Sequence, residues 1–290
     1  SQAVIAFWCP SKLNGPAKFD GSDVTYLVKQ AINESTRSGD LFINLKMFYS
    51  ARWLAQRVRL GRCLYPYENR AWEKMLILGV GAGSQQTRLV GNQHAAITAH
   101  DFNFFLAKDE AAVAPLPGAI VTCGDVTRDW IGRDGNYPSG MFSSACALRQ
   151  ELAVNEESGR KQAPITNLLV ALGTGDDEYA SAPGFLEDAL TTDGRFQVRL
   201  RPHPSLATLD LPQSPVYSIS TGSLADDLKW ADAILYTSST VSMEAIALGI
   251  PAVYLDLGNF LSTDPLFGWD EFKWWVTEPS QLIETIETIE

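Results

Sequence analysis

Two short segments in the C-terminal half carry side chains suited to holding a phosphate. Thr237, Ser238, Ser239 and Thr240 place four hydroxyls in a row, and Arg201-Pro202-His203-Pro204 lies roughly 35 residues upstream. Hydroxyls at the start of a helix, next to its free N–H groups, form a ready anion cradle. An imidazole can donate to a phosphate oxygen, and an arginine adds charge. The plain alternative for the hydroxyl turn is a set of ordinary N-caps, which any strand-to-helix turn needs. For His203 it is a histidine capping a turn between two prolines, and for Arg201 a solvated side chain at a strand end.

Glu244 adds a third group. In the S/T-x-x-E capping box the glutamate sits three residues after the cap, but with Thr240 as cap Glu244 is one residue too late. A carboxylate so placed, facing the strand ends, suits the hydroxyls of a ribose.

The elements that position these groups read as strand, turn, helix, strand. Ala233–Tyr236 is a short apolar run of the buried parallel-strand kind. Val241–Leu248 continues with helix formers, Gly249 is a C-cap, Pro251 stops the helix, and AVYLDL follows as a second buried strand. Upstream, Ile165–Leu172 predicts a strand, Asp176–Leu190 a helix, Phe196–Leu200 a strand, Leu224–Trp230 a short helix and Gln281–Ile289 a terminal helix. Strands alternating with helices imply a doubly wound parallel sheet.

The pairing of His203-Pro204 with Ser238-Ser239-Thr240 resembles the donor-nucleotide segment of GT-B glycosyltransferases, in particular the bacterial surface-carbohydrate, capsule and sialyl- or Kdo-transferase groups. The resemblance implies an α/β fold of two Rossmann-like domains with an inter-domain cleft. It further implies transfer of a sugar from a nucleotide-activated donor, of the CMP-Kdo or CMP-sialic acid type, to a cell-surface glycan or lipid-linked acceptor. In that reading His203 contacts the donor phosphate, the loop around Pro204 the base, Ser238 and Ser239 the phosphate, with Arg201 and Thr240 beside them and Glu244 on the ribose. No cofactor is required, since the nucleotide sugar is itself the substrate, and no metal is called for by an Asp-x-Asp motif. Retaining enzymes with an E-x7-E motif carry a second glutamate eight positions before Glu244, where this chain has Tyr236. Two other readings stand beside this one. A non-hydrolysing sugar-nucleotide epimerase shares the two-domain plan, although its usual Ser-Gly-Gly turn is here Ser-Ser-Thr. A catalytically silent nucleotide- or glycan-binding protein is the second.

Sugar transfer also needs a group to deprotonate the acceptor or attack the donor. The candidates lie in the N-terminal half. Glu68, in Tyr65-Pro66-Tyr67-Glu68-Asn69-Arg70, sits among aromatic residues that predict partial desolvation. His94 follows a strand at Arg88–Gly91, with Gly91 permitting close backbone approach. Asp125 follows a strand at Ala119–Thr122 and is as well suited to capping. Glu73 reads as a helix-surface charge, and Gly79–Ser84 as a flexible loop rather than a dinucleotide fingerprint. Further strands are predicted at Val4–Trp8 and Leu41–Leu45, and helices near Val24–Ser35, Ala51–Leu60 and Trp72–Gly79.

The division expected from length and composition is an acceptor-side domain over 1–160 and a donor-binding domain over 161–290, joined by the polar stretch Val154–Pro164. Residues 1–160 hold 17 Lys and Arg against 15 Asp and Glu, whereas 161–290 hold 6 against 19. That acidity argues against nucleic acid as a partner. Four scattered cysteines with no C-x-x-C pair fit a reduced, cytoplasmic setting. Arg52, Arg57, Arg59 and Arg62 interleave with Trp53, Leu54, Val58 and Leu60. This reads first as a solvated helix face over an apolar core side, and second as a surface for peripheral contact with an anionic inner membrane.

Overall fold

A computed structural model describes residues 15–19, 21–145, 164–206, 211–258 and 262–289, and of Thr36 only the backbone. The described residues fall into two units. The first lies within Ser1–His94 and Asn103–Cys146, the second within Ala95–Phe102 and Ala147–Glu290. The Val4–Trp8 strand, and the polar stretch up to residue 163, lie outside the described residues.

In the first unit a small antiparallel hairpin, β1 (Lys18–Phe19) and β2 (Ser22–Asp23), precedes helices α1 (Thr25–Arg37) and α2 (Asp40–Arg57). Then follow β3 (Arg62–Pro66), α3 (Ala71–Gly83), β4 (Arg88–Gln93), β5 (Ala119–Thr122), α4 (Asp125–Asp134) and β6 (Phe142–Ser144). Strands β3 to β6 make one parallel sheet in chain order. Among the described residues its strand order does not reverse.

Two expectations for this unit fail for identifiable reasons. Leu41–Leu45 is not a strand but the start of α2. The inward positions Leu41, Leu45, Phe48, Ala51 and Ala55 recur at helical spacing, and a five-residue window is too short to show it. Gly79–Gly83 is not a loop but the C-terminal end of α3. A Cβ at Gly79 would stand 2.4 Å from the Phe48 carbonyl oxygen, and one at Gly83 2.6 Å from that of Arg52. The glycines let the backbones of α3 and α2 touch, with Ala51 and Ala55 facing them.

Buried aromatic residues fill the sheet's side. The Tyr67 ring packs on Gly91, where a Cβ would lie 2.9 Å from it, and the Tyr67 hydroxyl meets that of Tyr137 at 2.8 Å. Burial pushes the Tyr65 and Tyr67 phenols far above their ordinary range and Tyr137 up to about 12.

The second unit continues with β7 (Asn167–Ala171), α5 (Asp176–Leu190), β8 (Gln197–Arg201), β9 (Ser218–Ile219), α6 (Leu224–Trp230), β10 (Ala233–Tyr236), α7 (Val241–Ala247), β11 (Ala252–Leu255), β12 (Lys273–Val276) and α8 (Leu282–Ile289). Its six strands are all parallel, in the order β12-β11-β10-β7-β8-β9. The chain builds outward from β7 through β8 and β9, then crosses to β10 and builds outward the other way. Strand order therefore reverses between β7 and β10, as in the doubly wound dinucleotide folds.

Both faces of this sheet are covered at its centre, so strands β10 and β11 are apolar throughout. Leu168, Val170 and Leu172 pack with Leu186, Leu200 and Ile286 on one face. Leu169 and Ala171 alternate to the other, with Ile234, Ala245 and Tyr254. Truncating a fully buried leucine here to alanine costs about 2–5 kcal/mol. Beside β12 the buried pair Asp264–Lys273 closes at 2.7 Å, and the Tyr236 hydroxyl donates to the same carboxylate at 2.8 Å. Tyr236 thus stays neutral, its phenol pushed well above the usual range by burial and by Asp264. Strands β9 and β12 escape sequence inspection because one is two residues long and the other, KWWV, lacks period-two alternation.

Candidate functional site

At the reversal point, the loops leaving the carboxyl ends of β7, β8 and β10 surround a cavity of about 380 Å³. Its lining includes Gly173 and Thr174 after β7, Arg201, Pro202, His203 and Pro204 after β8, and Ser238, Ser239, Thr240 and Glu244 after β10. All seven donor-side residues expected from the sequence meet in this one concavity. The crevice outside the strand ends at a switch point is where open α/β sheets bind ligands.

Two adjacent residues of α5, neither anticipated, hold these loops together. Glu178 is 3% exposed. Its carboxylate accepts the Gly173 N–H at 2.7 Å, the Ser238 hydroxyl at 2.5 Å and the Thr237 hydroxyl. Tyr179 receives the His203 N–H at 2.8 Å and donates its own hydroxyl to the Gly173 carbonyl at 3.0 Å. Gly173 itself is required: a Cβ there would fall 1.8 Å from Ser238 Oγ. The only sequence signal for Glu178 is its place at the third position of α5, where capping glutamates sit.

This arrangement alters the expected roles. The Ser238 proton is directed at Glu178, which leaves oxygen lone pairs rather than an O–H to face the cavity. Thr240, at the N-cap of α7, makes no side-chain capping bond, so its exposed hydroxyl is not spent on the helix. Helix α7 is only seven residues long, which makes its end charge small. The N-terminus of α5 carries Asp176, Asp177 and Glu178 in its first turn, which offsets its positive end. Anion holding at this site accordingly falls to individual N–H, O–H and imidazole donors.

His203 Nδ1 accepts the Ser205 N–H at 3.2 Å and lies 2.7 Å from Ser205 Oγ. An accepting Nδ1 puts the proton of the neutral ring on Nε2, making that atom the donor. Arg201 is not free. Its guanidinium donates to the buried Asp227 at 2.7 Å and to the Gly222 carbonyl at 2.9 Å. It still acts at a distance: burial raises the Glu244 carboxyl above its usual range, and the Arg201 charge offsets part of that rise.

In the first unit the three catalytic candidates follow the carboxyl ends of the neighbouring strands β3, β4 and β5, each in a different setting. Glu68 is 39% exposed and pairs with Arg70 at 3.4 Å. The buried carboxylate of that loop is Glu73, 1% exposed, which was expected on the helix surface. From the third position of α3 it receives the Glu68 N–H at 3.0 Å and the Asn69 N–H at 3.0 Å. Burial raises its carboxyl, and these N–H bonds offset part of the rise. Glu73 shapes the loop that carries Glu68, as Glu178 shapes the loop at Gly173. His94 is half-buried, and its Nδ1 is shut from solvent with no partner among the described residues. Asp125 is open to solvent and engaged by Arg128 at 2.6 Å and Ser144 at 2.5 Å. It is not the capping role expected of it: Gly124 is the N-cap of α4, no side chain caps that helix, and the Asp125 carboxylate is spent on an exposed ion pair and a hydroxyl.

No protein-family model and no curated protein matches the sequence. Solved structures do resemble the fold. The glycotransferase of kitacinnamycin superposes with a TM-score of 0.54 at 13% identity, over 88% of this chain and 74% of that one. UDP-GlcNAc 2-epimerase from Neisseria meningitidis, bound to UDP-GlcNAc, gives 0.54 at 12% identity over 85% and 72%. The Methanocaldococcus jannaschii UDP-GlcNAc 2-epimerase, in complex with UDP-GlcNAc and UDP, gives 0.52 at 14% identity over 84% and 73%. What the chain shares with these proteins is their fold, the GT-B type built from two Rossmann-like units.

Proposed function

We propose that this chain is a glycosyltransferase that draws a sugar from a nucleotide-activated donor. The observation that carries the reading is the convergence of Gly173, His203, Ser239, Thr240 and Glu244 on one cavity at the strand-order reversal of the second unit. A departing nucleotide leaves with negative charge on its phosphate. The Nε2–H of His203, the Thr240 hydroxyl and N–H groups of the turn are the donors that stabilise it. Glu244, a carboxylate in a partly desolvated position, accepts from ribose hydroxyls. Ser238, with its proton committed to Glu178, serves as an acceptor or as a support.

The donor proposed is a CMP-sugar, on the pairing of His203-Pro204 with Ser238-Ser239, and the acceptor a surface glycan or lipid-linked sugar. Glu68 and His94 are the groups proposed to take the acceptor proton. A second reading has a specific motive: two of the superposing structures are epimerases of UDP-GlcNAc. An epimerase releases an altered UDP-sugar with no acceptor present.

Incubation with CMP-sialic acid, CMP-Kdo and a set of UDP-sugars, with released nucleotide and sugar products assayed, separates these readings. Calorimetry of CMP binding tests the site itself. His203→Ala and the Ser238→Ala/Ser239→Ala double variant should each weaken affinity about tenfold or more, the loss of one charged-group hydrogen bond. Unaltered affinity in both variants, with intact folding, removes the site assignment.

A further inference from the structure

Helix α2 is apolar on two sides. Ala51 and Ala55 face α3, yet Phe42, Tyr49 and Trp53 are 73%, 61% and 55% exposed, and Ile43 and Leu54 are exposed beside them. Phe42, Lys46, Tyr49, Trp53 and Arg57 recur at spacings of three and four and so share one face, with Ile43 and Leu54 along its edge. An exposed apolar stripe of this size marks an interaction surface.

Charge identifies what it meets. From Leu41 to Tyr67 the chain holds Lys46, Arg52, Arg57, Arg59 and Arg62 and no aspartate or glutamate, although the whole chain carries −11. The Arg57 guanidinium sits 4.4 Å above the Trp53 ring, which keeps a cation within the apolar stripe. At the adjoining end of α2 a cavity of about 390 Å³ opens, lined by Arg57, Arg59, Ser84 and Gln86. Two arginines and two polar residues thus line a concavity beside the stripe's end.

We infer that the outer face of α2 docks on a bilayer surface containing anionic phospholipid. The aromatic and aliphatic side chains enter the headgroup boundary, the surrounding cations meet the negative surface, and the Arg57–Arg59 cavity takes a headgroup phosphate. The combination of aromatic residues and arginines, with no acid from Leu41 to Tyr67, favours an anionic lipid surface over the same face of a second copy, which would set these cations against one another.

The test is co-sedimentation of the full chain with vesicles of phosphatidylcholine alone and of phosphatidylcholine mixed with phosphatidylglycerol. Pelleting is expected with the mixed vesicles only, weakening as salt is raised. Arg57→Gln/Arg59→Gln should lower partitioning at least about tenfold, as should Phe42→Ser/Trp53→Ser, with unchanged circular dichroism. Equal partitioning to both vesicle types, or none to either, overturns the inference. So does a dimer in light scattering that Phe42→Ser/Trp53→Ser converts to monomer without any vesicle binding by the parent. None of these readouts depends on nucleotide, so they stand apart from the proposed sugar transfer.

Discussion

Glu178 and Tyr179 are neighbours in sequence, yet between them they grip the loops after β7, β8 and β10. Removing the Tyr179 hydroxyl frees the His203 N–H and the Gly173 carbonyl at once. Tyr179→Phe is therefore expected to cost about 1–3 kcal/mol of stability and to weaken nucleotide binding, both read in one calorimetric series. A normal melting point with normal affinity would show that the tyrosine is not a strut. Glu244 gives a pH signature. Burial raises its carboxyl above the ordinary value, with the Arg201 charge offsetting part of the rise. A ribose hydroxyl prefers to donate to the ionised form. Wild-type affinity for CMP should thus rise with pH through that raised value, and Glu244→Gln should lack that increment. The difference between the two proteins excludes the phosphate's own titration. The cradle was legible in the sequence because His203 and Ser238–Thr240 are unusual types at a telling spacing. Glu178 and Glu73 were not, since an acid in the first turn of a helix has an everyday explanation. Only their burial reveals that each reaches back to hold the loop before it.

Helices α2 and α3 illustrate what pattern reading misses at the next scale. Gly79 and Gly83 are spaced one turn apart, which is the mark of close helix contact as much as of a loop. Their surroundings decide it, because a side chain at either would collide with carbonyl oxygen of α2. Gly79→Val is expected to destabilise the protein by about 1–3 kcal/mol or more, since backbone must move to admit it. Urea unfolding measures this, and a variant as stable as the parent would contradict the packing. Gly81, with nothing within 4 Å of its would-be Cβ, is the matched control and should tolerate alanine. In the second unit the elements were easier to read. Strands such as Ala233–Tyr236 and Ala252–Leu255 are wholly apolar and bounded by turn residues, so type and limits follow from composition. Leu41–Leu45 has the same look but continues into a longer helical repeat, and the longer pattern wins.

For the whole molecule, alternation of strands and helices implied two parallel α/β halves, and the fold agrees with that class. Strand order is a different matter: nothing in the residues says that β10 returns beside β7, yet that return creates the cavity. Nucleotide held only by the second unit should slow hydrogen exchange in β7, β8 and β10 and leave β3 to β5 unchanged. Protection appearing in the first unit's strands instead would relocate the site. The buried phenols allow a further observation. Tyr65 and Tyr67 in the first unit and Tyr236 in the second have folded-state values raised above the ordinary tyrosine value of about 10. A group raised by folding lends stability below its unfolded value and withdraws it as pH climbs beyond. At alkaline pH these rings stay un-ionised while folded and become phenolate when released. Phenolate absorbs ultraviolet light at longer wavelength than phenol, and each unit holds its own such rings. The opening of either half is therefore written into the protein's own absorbance, and substituting Tyr236 with phenylalanine would tell which half has opened, with no dye attached.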